Sequence, residues 1–510
     1  MCCRSKILLG GLAAALVLTL AIVTGLNAQT EKAAKKAITE ELADADFALP
    51  NPAVMLPFEK VQPIYFVNMN MPEWSKLDKF WTPGTEEATA PDGSKVTRTI
   101  VKIKVPLGLT TNPPIPAENP VTVQKWLLGR RLYYDTLLSS DGTVSCASCH
   151  DPAKGFSDQS VVSLGIRGNR GGMNAPTVFN TAYNTLQFWD GRAASLEDQS
   201  QGPVQNALEM FDGDGHAWKR CVQRLRGKAD YVEQFKAVFG TPPTRDTVAK
   251  AIAAFERTVL SGNSIQDRAE AAGRARFAEK GVGEATPRAA DYAKVLKEAF
   301  AAKDVNALKA LKLDPEKDSD KIPDMAKRLA NGRNLFHNKA RCNACHVGDN
   351  WTDNSFHNLG VGAVDGQIPA KAAGRYAALP TGHKDPSLYG AFKTPTLRHL
   401  LGTAPYMHDG SEKDLRAVID LYDRGGIPNP YLDIRMRDED AEQAWRAAQA
   451  SGKKYDGPEV FVYNGQPIVP RKLGLTLEEK QDLELFLRAL QGDPVEPLVA
   501  DPNLMPPGLK

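Results

Sequence analysis

Two short segments of the chain carry the same cysteine and histidine pattern. The segments "CASCH" at 146–150 and "CNACH" at 342–346 both read Cys-x-x-Cys-His. A Cys-x-x-Cys pair alone can form a disulfide or half of a zinc site. A histidine directly after the second cysteine is instead typical of c-type haem attachment. The sequence therefore predicts two covalent haems, attached to Cys146, Cys149, Cys342 and Cys345, with His150 and His346 as iron ligands.

The residues around the two motifs are also repeated. Gly-Arg-x-Leu-aromatic precedes each motif, and aromatic-Ser/Thr-Asp follows it. An internal duplication of this kind predicts two structural units of the same type. We therefore expect a mainly α fold, in which two cytochrome-c-like helical domains, at 117–265 and 326–495, pack together. The corresponding upstream residues are Gly129, Arg130, Leu132 and Tyr133 in the first copy and Gly332, Arg333, Leu335 and Phe336 in the second.

The remaining segments differ in composition from the two repeats. Residues 29–116 are polar and proline-rich in places, which predicts an N-terminal extension with little regular structure and one strand at 96–107. Residues 266–325 are rich in alanine, lysine and glutamate, which indicates a charged insertion of solvent-facing helices. Residues 496–510 form a tail.

The N-terminus combines basic residues with a long apolar run. Arg4 and Lys6 precede an apolar stretch at 7–26, and Ala28 is a small residue suited to cleavage. The pattern predicts a signal peptide at 1–28, while the length of the run also fits a membrane anchor of about 20 residues. Either alternative places the rest of the chain in the periplasm. Lys+Arg total 63 and Asp+Glu 61, so we expect no nucleic-acid binding.

The sixth ligand of each iron decides what a haem can do. An iron with two strong axial ligands transfers electrons, whereas an open face can bind peroxide. In the segment 404–426, the spacing of Leu415, Ile419 and Tyr422 predicts one face of a helix. A tyrosine on such a face is most often a core residue, and Met407 and His408 are competing ligand candidates.

The order of the motifs resembles that of a known family. CxxCH, "NAPTVFN", "FWDGR", "GPVQNALEM", CxxCH, "TPTLRHL" and "TAPYMHDG" follow one another as in the bacterial di-haem cytochrome c peroxidases, which include MauG. The resemblance covers both predicted haem domains. It implies that the first haem reacts with peroxide, with Glu209 as catalytic carboxylate, Gln199 as active-site glutamine and Pro203 crowding the distal face. It also implies that Trp189 lies between the haems and passes electrons.

The same resemblance implies a calcium ion between the haems. Its ligands would be Asn174 and the backbone carbonyls of Thr403 and Pro405, since oxygen atoms suit this hard cation. Met173 stands where many relatives have arginine, which is a departure from the family pattern at this site.

Two further departures point to the MauG-like branch. Where peroxidase members place a methionine on the second iron, this chain has Tyr422, which the resemblance makes the ligand of that iron. Where peroxidase members carry a histidine that caps the first haem, this chain has Ile166, and the loop at 163–177 contains no histidine. The first haem should then be open without prior reduction.

The sequence therefore predicts a haem-dependent oxidoreductase that reduces hydrogen peroxide. Electrons would come from a small c-type cytochrome or cupredoxin, or from a protein substrate. One alternative is MauG-like oxidative maturation of a partner protein. Another is a di-haem electron carrier without catalysis, which would require both irons to be six-coordinate.

Overall fold

The computed structural model describes residues 55–508, except 214 and 281–284. The predicted signal peptide or anchor at 1–28 lies outside the described residues. Among the described helices, none is both long and apolar enough to span a bilayer. The longer helices are α1 (Val123–Tyr134), α2 (Ala217–Arg226), α3 (Ala229–Phe239), α4 (Arg245–Glu256), α5 (Ile265–Lys280), α6 (Ala289–Ala301), α7 (Val305–Ala310), α8 (Ile322–His337), α9 (Leu415–Asp423), α10 (Glu439–Ser451) and α11 (Leu477–Arg488).

Strands are few beside these helices, so the fold is mainly α, as predicted. The strands form three small sheets, of three, two and two strands. They are β1 (Ile64–Val67), β2 (Trp81–Thr89), β3 (Lys95–Lys104), β4 (Phe356–His357), β5 (Phe392–Lys393), β6 (Phe461–Tyr463) and β7 (Gln466–Ile468). Single helical turns occupy Cys146–Cys149, Leu196–Gln199, Gln201–Gln205, Arg375–Ala378 and Pro497–Ala500.

Each repeat is built on two crossing helices that touch at a glycine. In the first repeat α1 crosses α4, and in the second α8 crosses α11. A Cβ on Gly129 would lie 1.8 Å from the backbone oxygen of Ala251. A Cβ on Gly332 would lie 2.1 Å from the backbone oxygen of Asp482. The repeated glycine is therefore required by the close approach of two helix backbones.

Side-chain caps fix where the crossing helices begin. The Thr122 side chain accepts a hydrogen bond from a backbone N–H at the start of α1. Thr244 and Thr247 form a reciprocal capping box at the start of α4, as Thr476 and Glu479 do at α11. Each cap satisfies backbone donors that the first helical turn leaves without partners.

The same three aromatic positions pack around each crossing. In the first repeat the ring of Tyr133 lies 5.0 Å from Phe255 and 6.4 Å from Phe156. In the second repeat the ring of Phe336 lies 5.1 Å from Phe486 and 5.5 Å from Trp351. These contacts agree with the internal duplication inferred from the sequence.

The N-terminal extension contains more strand structure than the sequence pattern indicated. The strand predicted at 96–107 is β3, and it pairs parallel with β1 and antiparallel with β2. Neither β1 nor β2 was predicted, because β2 contains Pro83 and Gly84 and β1 pairs with a strand distant in sequence. The sheet packs on α1 through the rings of Trp81 and Trp126, whose centroids are 5.0 Å apart.

The charged segment at 266–325 contains helices, and these helices are not simply solvent-facing. Tyr292, Val295 and Leu296 of α6 are buried, and α6 packs on α8 of the second repeat. Leu308 of α7 belongs to the same buried cluster. The apolar face of these helices thus extends the core of the second repeat, and Lys294, Lys297 and Glu298 of α6 are exposed.

The C-terminal segment returns to the first repeat. Leu498 and Val499 are buried in the core of that repeat. Buried Arg130 of α1 donates to the backbone oxygens of Leu498 and Leu504, both over 2.7 Å. The arginine of the repeated Gly-Arg pair therefore connects the C-terminal segment to α1 of the first repeat.

Candidate functional site

The first Cys-x-x-Cys-His motif is a helical turn that orients its histidine. The backbone N–H of His150 donates to the Cys146 carbonyl over 2.9 Å. Nδ1 of His150 lies 3.2 Å from the backbone oxygen of Phe156. A protonated Nδ1 fits this contact, which leaves Nε2 as the nitrogen that can bind a metal.

The second motif has the same geometry. The backbone N–H of His346 donates to the Cys342 carbonyl over 2.9 Å, and Nδ1 of His346 lies 2.9 Å from the backbone oxygen of Trp351. Phe156 and Trp351 both have left-handed backbones, with φ of 56° and 53°. Two segments nearly two hundred residues apart thus orient their histidines in one way.

Both histidines are held in the neutral form. Burial lowers the pKa of His150 and lowers that of His346 to about 4, while nearby backbone oxygens oppose the shift. Among those oxygens are the carbonyls of Pro176 and Pro395, which occupy equivalent Pro-Thr segments of the two repeats. Neutral imidazole is the form that coordinates a metal.

A cavity of about 240 Å³ lies over the second motif. Its walls come from both repeats, because the segment that follows the first motif reaches across to the second. The predicted site residues that line it, besides Cys342, Cys345 and His346, are Tyr422, Trp189, Asn174, Thr403 and Pro405.

Tyr422 enters this cavity from α9, the helix that the spacing predicted. Burial raises the pKa of its phenol, and the sulfurs of the second motif add to the effect. Met407 and His408 also line the cavity. The His408 ring is stacked on Phe392, with ring centroids 3.5 Å apart. All three ligand candidates therefore border the same space, and His408 is already engaged in stacking.

Trp189 connects the two repeats. Its indole N–H donates to the backbone oxygen of Asn174 over 2.9 Å, and its own carbonyl accepts from the Lys393 N–H over 2.7 Å. Asn174 is buried, and its backbone N–H donates to the His408 carbonyl over 2.8 Å. The indole is thereby fixed between the segment after the first motif and a strand of the second repeat.

Glu209 lies near the first motif rather than the second. Burial raises the pKa of Cys149 to about 11, and the charge of Glu209 contributes to that shift. The Glu209 carboxylate accepts a hydrogen bond from the Asn206 amide over 2.5 Å. Gln199 ends the helical turn 196–199, and Pro203 lies in the next turn. The three predicted residues therefore come from one continuous segment.

Ile166 is bonded to the Glu209 backbone. Its N–H donates to the Glu209 carbonyl over 2.9 Å, and its side chain is fully buried. Gly165 allows this contact, because a Cβ there would lie 2.0 Å from the Leu208 backbone oxygen. The loop at 163–177 is thus held in place at the position where a capping histidine would otherwise stand.

The chain is similar to proteins of a known family. Residues 123–276 match the family model described as di-haem cytochrome c peroxidase. The cytochrome-c peroxidase IdrP1 of Pseudomonas sp. (strain SCT) is 30% identical over 415 residues, which are 77% of this chain and 87% of that protein. The chain belongs to the di-haem cytochrome c peroxidase family.

The chain is also similar to MauG and to a solved MauG-like structure. The methylamine utilization protein MauG of Methylorubrum extorquens is 33% identical over 332 residues, which are 64% of this chain and 75% of that protein. Among solved structures, a MauG-like protein associated with microbial copper homeostasis is 29% identical, with a TM-score of 0.52. The match covers 78% of this chain and 97% of that one.

As a di-haem cytochrome c peroxidase, the chain is a haem-dependent oxidoreductase with two c-type haems. Its own residues fit that cofactor. The four motif cysteines are free thiols, as thioether formation requires, and each motif presents a neutral histidine with Nε2 available. The apolar wall of the cavity, with Leu415, Ile419 and Leu487 among its residues, fits a macrocycle.

Sequence reasoning missed the charged residues beside the second motif. His357 bonds two carboxylates, those of Asp353 and Asp433. The available signal was the spacing of Asp353 and His357, four residues apart, which the first repeat lacks. Asp433 has no local signal, because it reaches the site from a distant loop.

Proposed function

We propose that the chain reduces hydrogen peroxide at the haem of the first motif and handles electrons at the haem of the second. His150 and His346 would be the iron ligands on one face of each haem. A bound haem supplies an iron that can take up peroxide and store oxidising equivalents. The observation that carries the proposal is the placement of Glu209 beside the first motif and of Tyr422 beside the second.

Glu209 would move the proton that peroxide chemistry needs. Burial raises the pKa of its carboxyl above the ordinary value, against the opposing effects of Arg192 and the Asn206 amide. A carboxylate with a raised pKa is a better base and returns its proton as an acid. Gln199 and Pro203, earlier in the same segment, would complete the distal side as active-site amide and crowding residue.

The first haem would be open in the resting protein. The burial of Ile166 and its backbone bond to Glu209 support this proposal, since the loop offers no imidazole and is held in place. No reductive activation step would then precede the reaction with peroxide.

Tyr422 would be the second axial ligand of the electron-handling haem. A phenolate is an anionic ligand that favours the oxidised iron, so this haem should have a low reduction potential. Trp189, fixed between the two repeats by its bond to Asn174, would pass electrons between the haems.

A calcium ion would bind at Asn174, Thr403 and Pro405. The three residues border the same cavity. The Asn174 Nδ2 donates to the Ser160 carbonyl over 2.7 Å, which leaves its Oδ1 available to a cation. Amide and carbonyl oxygens are suitable calcium ligands.

The electron source would be a small c-type cytochrome or cupredoxin in the periplasm. Residues 1–28 would direct the export of the chain to that compartment, and they would then be either cleaved or retained as a membrane tether. Tyr422 favours a second candidate function, which is MauG-like oxidation of a protein substrate. In that case the residues around both haems keep the same roles, and a partner protein supplies the electrons.

The test is peroxide-dependent oxidation of a reduced c-type cytochrome or cupredoxin by the purified holoprotein. Glu209→Gln should reduce its rate by about 10²–10⁴-fold. Gln205→Ala, which alters an exposed side chain of the same segment, should not. Rapid turnover lost only in Glu209→Gln supports the peroxidase function. Slow donor oxidation with covalent change in a partner protein supports the second candidate, and equal activity of wild type and Glu209→Gln contradicts both.

A further inference from the structure

A buried histidine beside the second motif is held between two carboxylates. His357 of β4 is 8% exposed. Its Nδ1 lies 2.7 Å from Oδ2 of Asp433, and its Nε2 lies 2.9 Å from Oδ2 of Asp353. Both ring nitrogens can donate at once only in the imidazolium form. Asp353, His357 and Asp433, which we call the charge cluster, therefore hold fixed charges in the protein interior.

The balance of interactions keeps this imidazole charged. Burial lowers the pKa of His357, but the contacts with Asp433, the Cys345 sulfur and Asp353 outweigh burial and raise it to about 10. A thioether at Cys345 would remove the contribution of that sulfur, whereas both carboxylates would remain. Burial opposes charge on the two carboxyl groups, yet their bonds to His357 hold the pKa of each below its ordinary value.

The charge cluster lies against the sulfur that would carry the second haem. Sγ of Cys345, an oxygen of Asp353 and a ring nitrogen of His357 all lie within 4.8 Å of one another. His357 and Asp433 also line the cavity that contains His346. Arg435 lines the same cavity, with Nη1 3.2 Å from Nδ1 of His357 and 3.5 Å from Oδ1 of Asp433, so it places a further positive charge beside the cluster.

Among its described residues, the first repeat does not contain this arrangement. Asp158 is the repeat equivalent of Asp353, and the two share a bond, since Oδ1 of each accepts from the backbone N–H two residues later, over 3.0 Å and 2.9 Å. What the first repeat lacks is the histidine. The sequence has no histidine between His150 and His216. Two otherwise similar motifs therefore differ in the charges that surround them, and the difference lies on the side assigned to electron handling.

We propose that the charge cluster sets the reduction potential of the second haem, with its three members acting as positioning residues through their charges. The proposal rests on haem attachment at the second motif as given under the proposed function, and not on the peroxide reaction. A charge in a low-dielectric interior acts strongly on a neighbouring redox centre. Each carboxylate stabilises the oxidised haem, and the imidazolium stabilises the reduced haem.

Removal of one carboxylate should therefore make the second haem easier to reduce. We expect Asp433→Asn and Asp353→Asn each to shift its reduction equilibrium about tenfold toward the reduced form, which is about 59 mV for one electron. His357 keeps one carboxylate partner in either variant, and that contact favours its charged form. His357→Gln removes that charge and should shift the equilibrium in the opposite direction.

The experiment is an equilibrium redox titration of the holoprotein without peroxide, in which each haem is followed by its absorption spectrum. Asp158→Asn is the matched control, and it should leave the second haem unchanged. Both aspartate variants must first be shown to carry two haems. If the reduction equilibrium of their second haem then stays within twofold of the wild-type value, the cluster is only structural and the proposal is wrong. Because no peroxide is used, a failure of the peroxidase function would leave this result intact.

Discussion

Nδ1 of His346 lies 2.9 Å from the backbone oxygen of Trp351, and the equivalent pair in the first repeat, His150 and Phe156, is 3.2 Å apart. The contact fixes the ring so that Nε2 is the free nitrogen. The left-handed backbones of Trp351 and Phe156 place the accepting carbonyls. The aromatic residue after each motif thus orients the histidine as well as packing in the core.

The stability of the protein is expected to depend on the glycines at the two helix crossings. Gly129→Ala places a Cβ against the Ala251 carbonyl, so we expect a loss of about 1–3 kcal/mol in the free energy of unfolding. Thermal denaturation of the holoprotein measures it. Gly382→Ala is the control, because no atom of the described residues lies within 4 Å of a Cβ added at this position. Equal melting temperatures for the two variants would contradict the role of the crossing.

The spectrum of the second haem is expected to depend on Tyr422. Tyr422→Phe removes the phenolic oxygen while it preserves the ring, so the low-spin signal and the potential of that haem should both change. Tyr406→Phe is the matched control, since Tyr406 lines the same cavity but donates its hydroxyl hydrogen to the Leu400 carbonyl. An unchanged electron paramagnetic resonance spectrum in Tyr422→Phe would reject the ligand assignment.

The pH dependence of peroxide reduction should report Glu209. The carboxylate form accepts the proton, and burial raises its pKa above 4.5. Activity should therefore fall as the pH drops through that raised pKa, with a midpoint above 4.5. Glu209→Gln should reduce the rate by about 10²–10⁴-fold and remove this acid limb. The same acid limb in both proteins would assign the titration to another group.

Electron movement between the haems is expected to pass through Trp189. Trp189→Phe removes the indole and its bond to the Asn174 carbonyl, so redistribution of oxidising equivalents after peroxide addition should slow at least tenfold in stopped-flow traces. Trp74→Phe serves as the control, because Trp74 makes a similar indole bond, to the Val105 carbonyl, in the N-terminal sheet. Equal rates in the two variants would exclude Trp189 from the path.

The duplicated features could be predicted because they are local and repeated. The Gly-Arg-x-Leu-aromatic run and the Cys-x-x-Cys-His motif each recur with the same internal spacing, although the distance between them differs. Helices α9 and α11 follow a simple helical spacing. The sheet of the extension could not be predicted in full. Its β1 and β3 pair in parallel across a long connection. Because proline and glycine are unfavourable inside strands, Pro83 and Gly84 made the sequence of β2 unlike that of a strand.

The residues beside the second motif were missed for a similar reason. One hydrogen-bond partner of His357, Asp353, is four residues away in the sequence. The other, Asp433, lies in a distant loop and comes close only when the chain folds. The buried face of α6 was hidden in a different way. Its apolar residues Tyr292, Val295 and Leu296 are spaced among charged residues. The composition therefore indicated a solvent-exposed helix, whereas the helical spacing of the apolar residues indicated a face that packs on another element.

We expect one haem to have an open iron while the other is fully ligated. Electron paramagnetic resonance of the resting ferric holoprotein distinguishes these two states directly. We expect one high-spin signal from the haem of His150 and one low-spin signal from the haem of His346 and Tyr422. Two low-spin signals would contradict it and would leave the chain a carrier of electrons without a peroxide site.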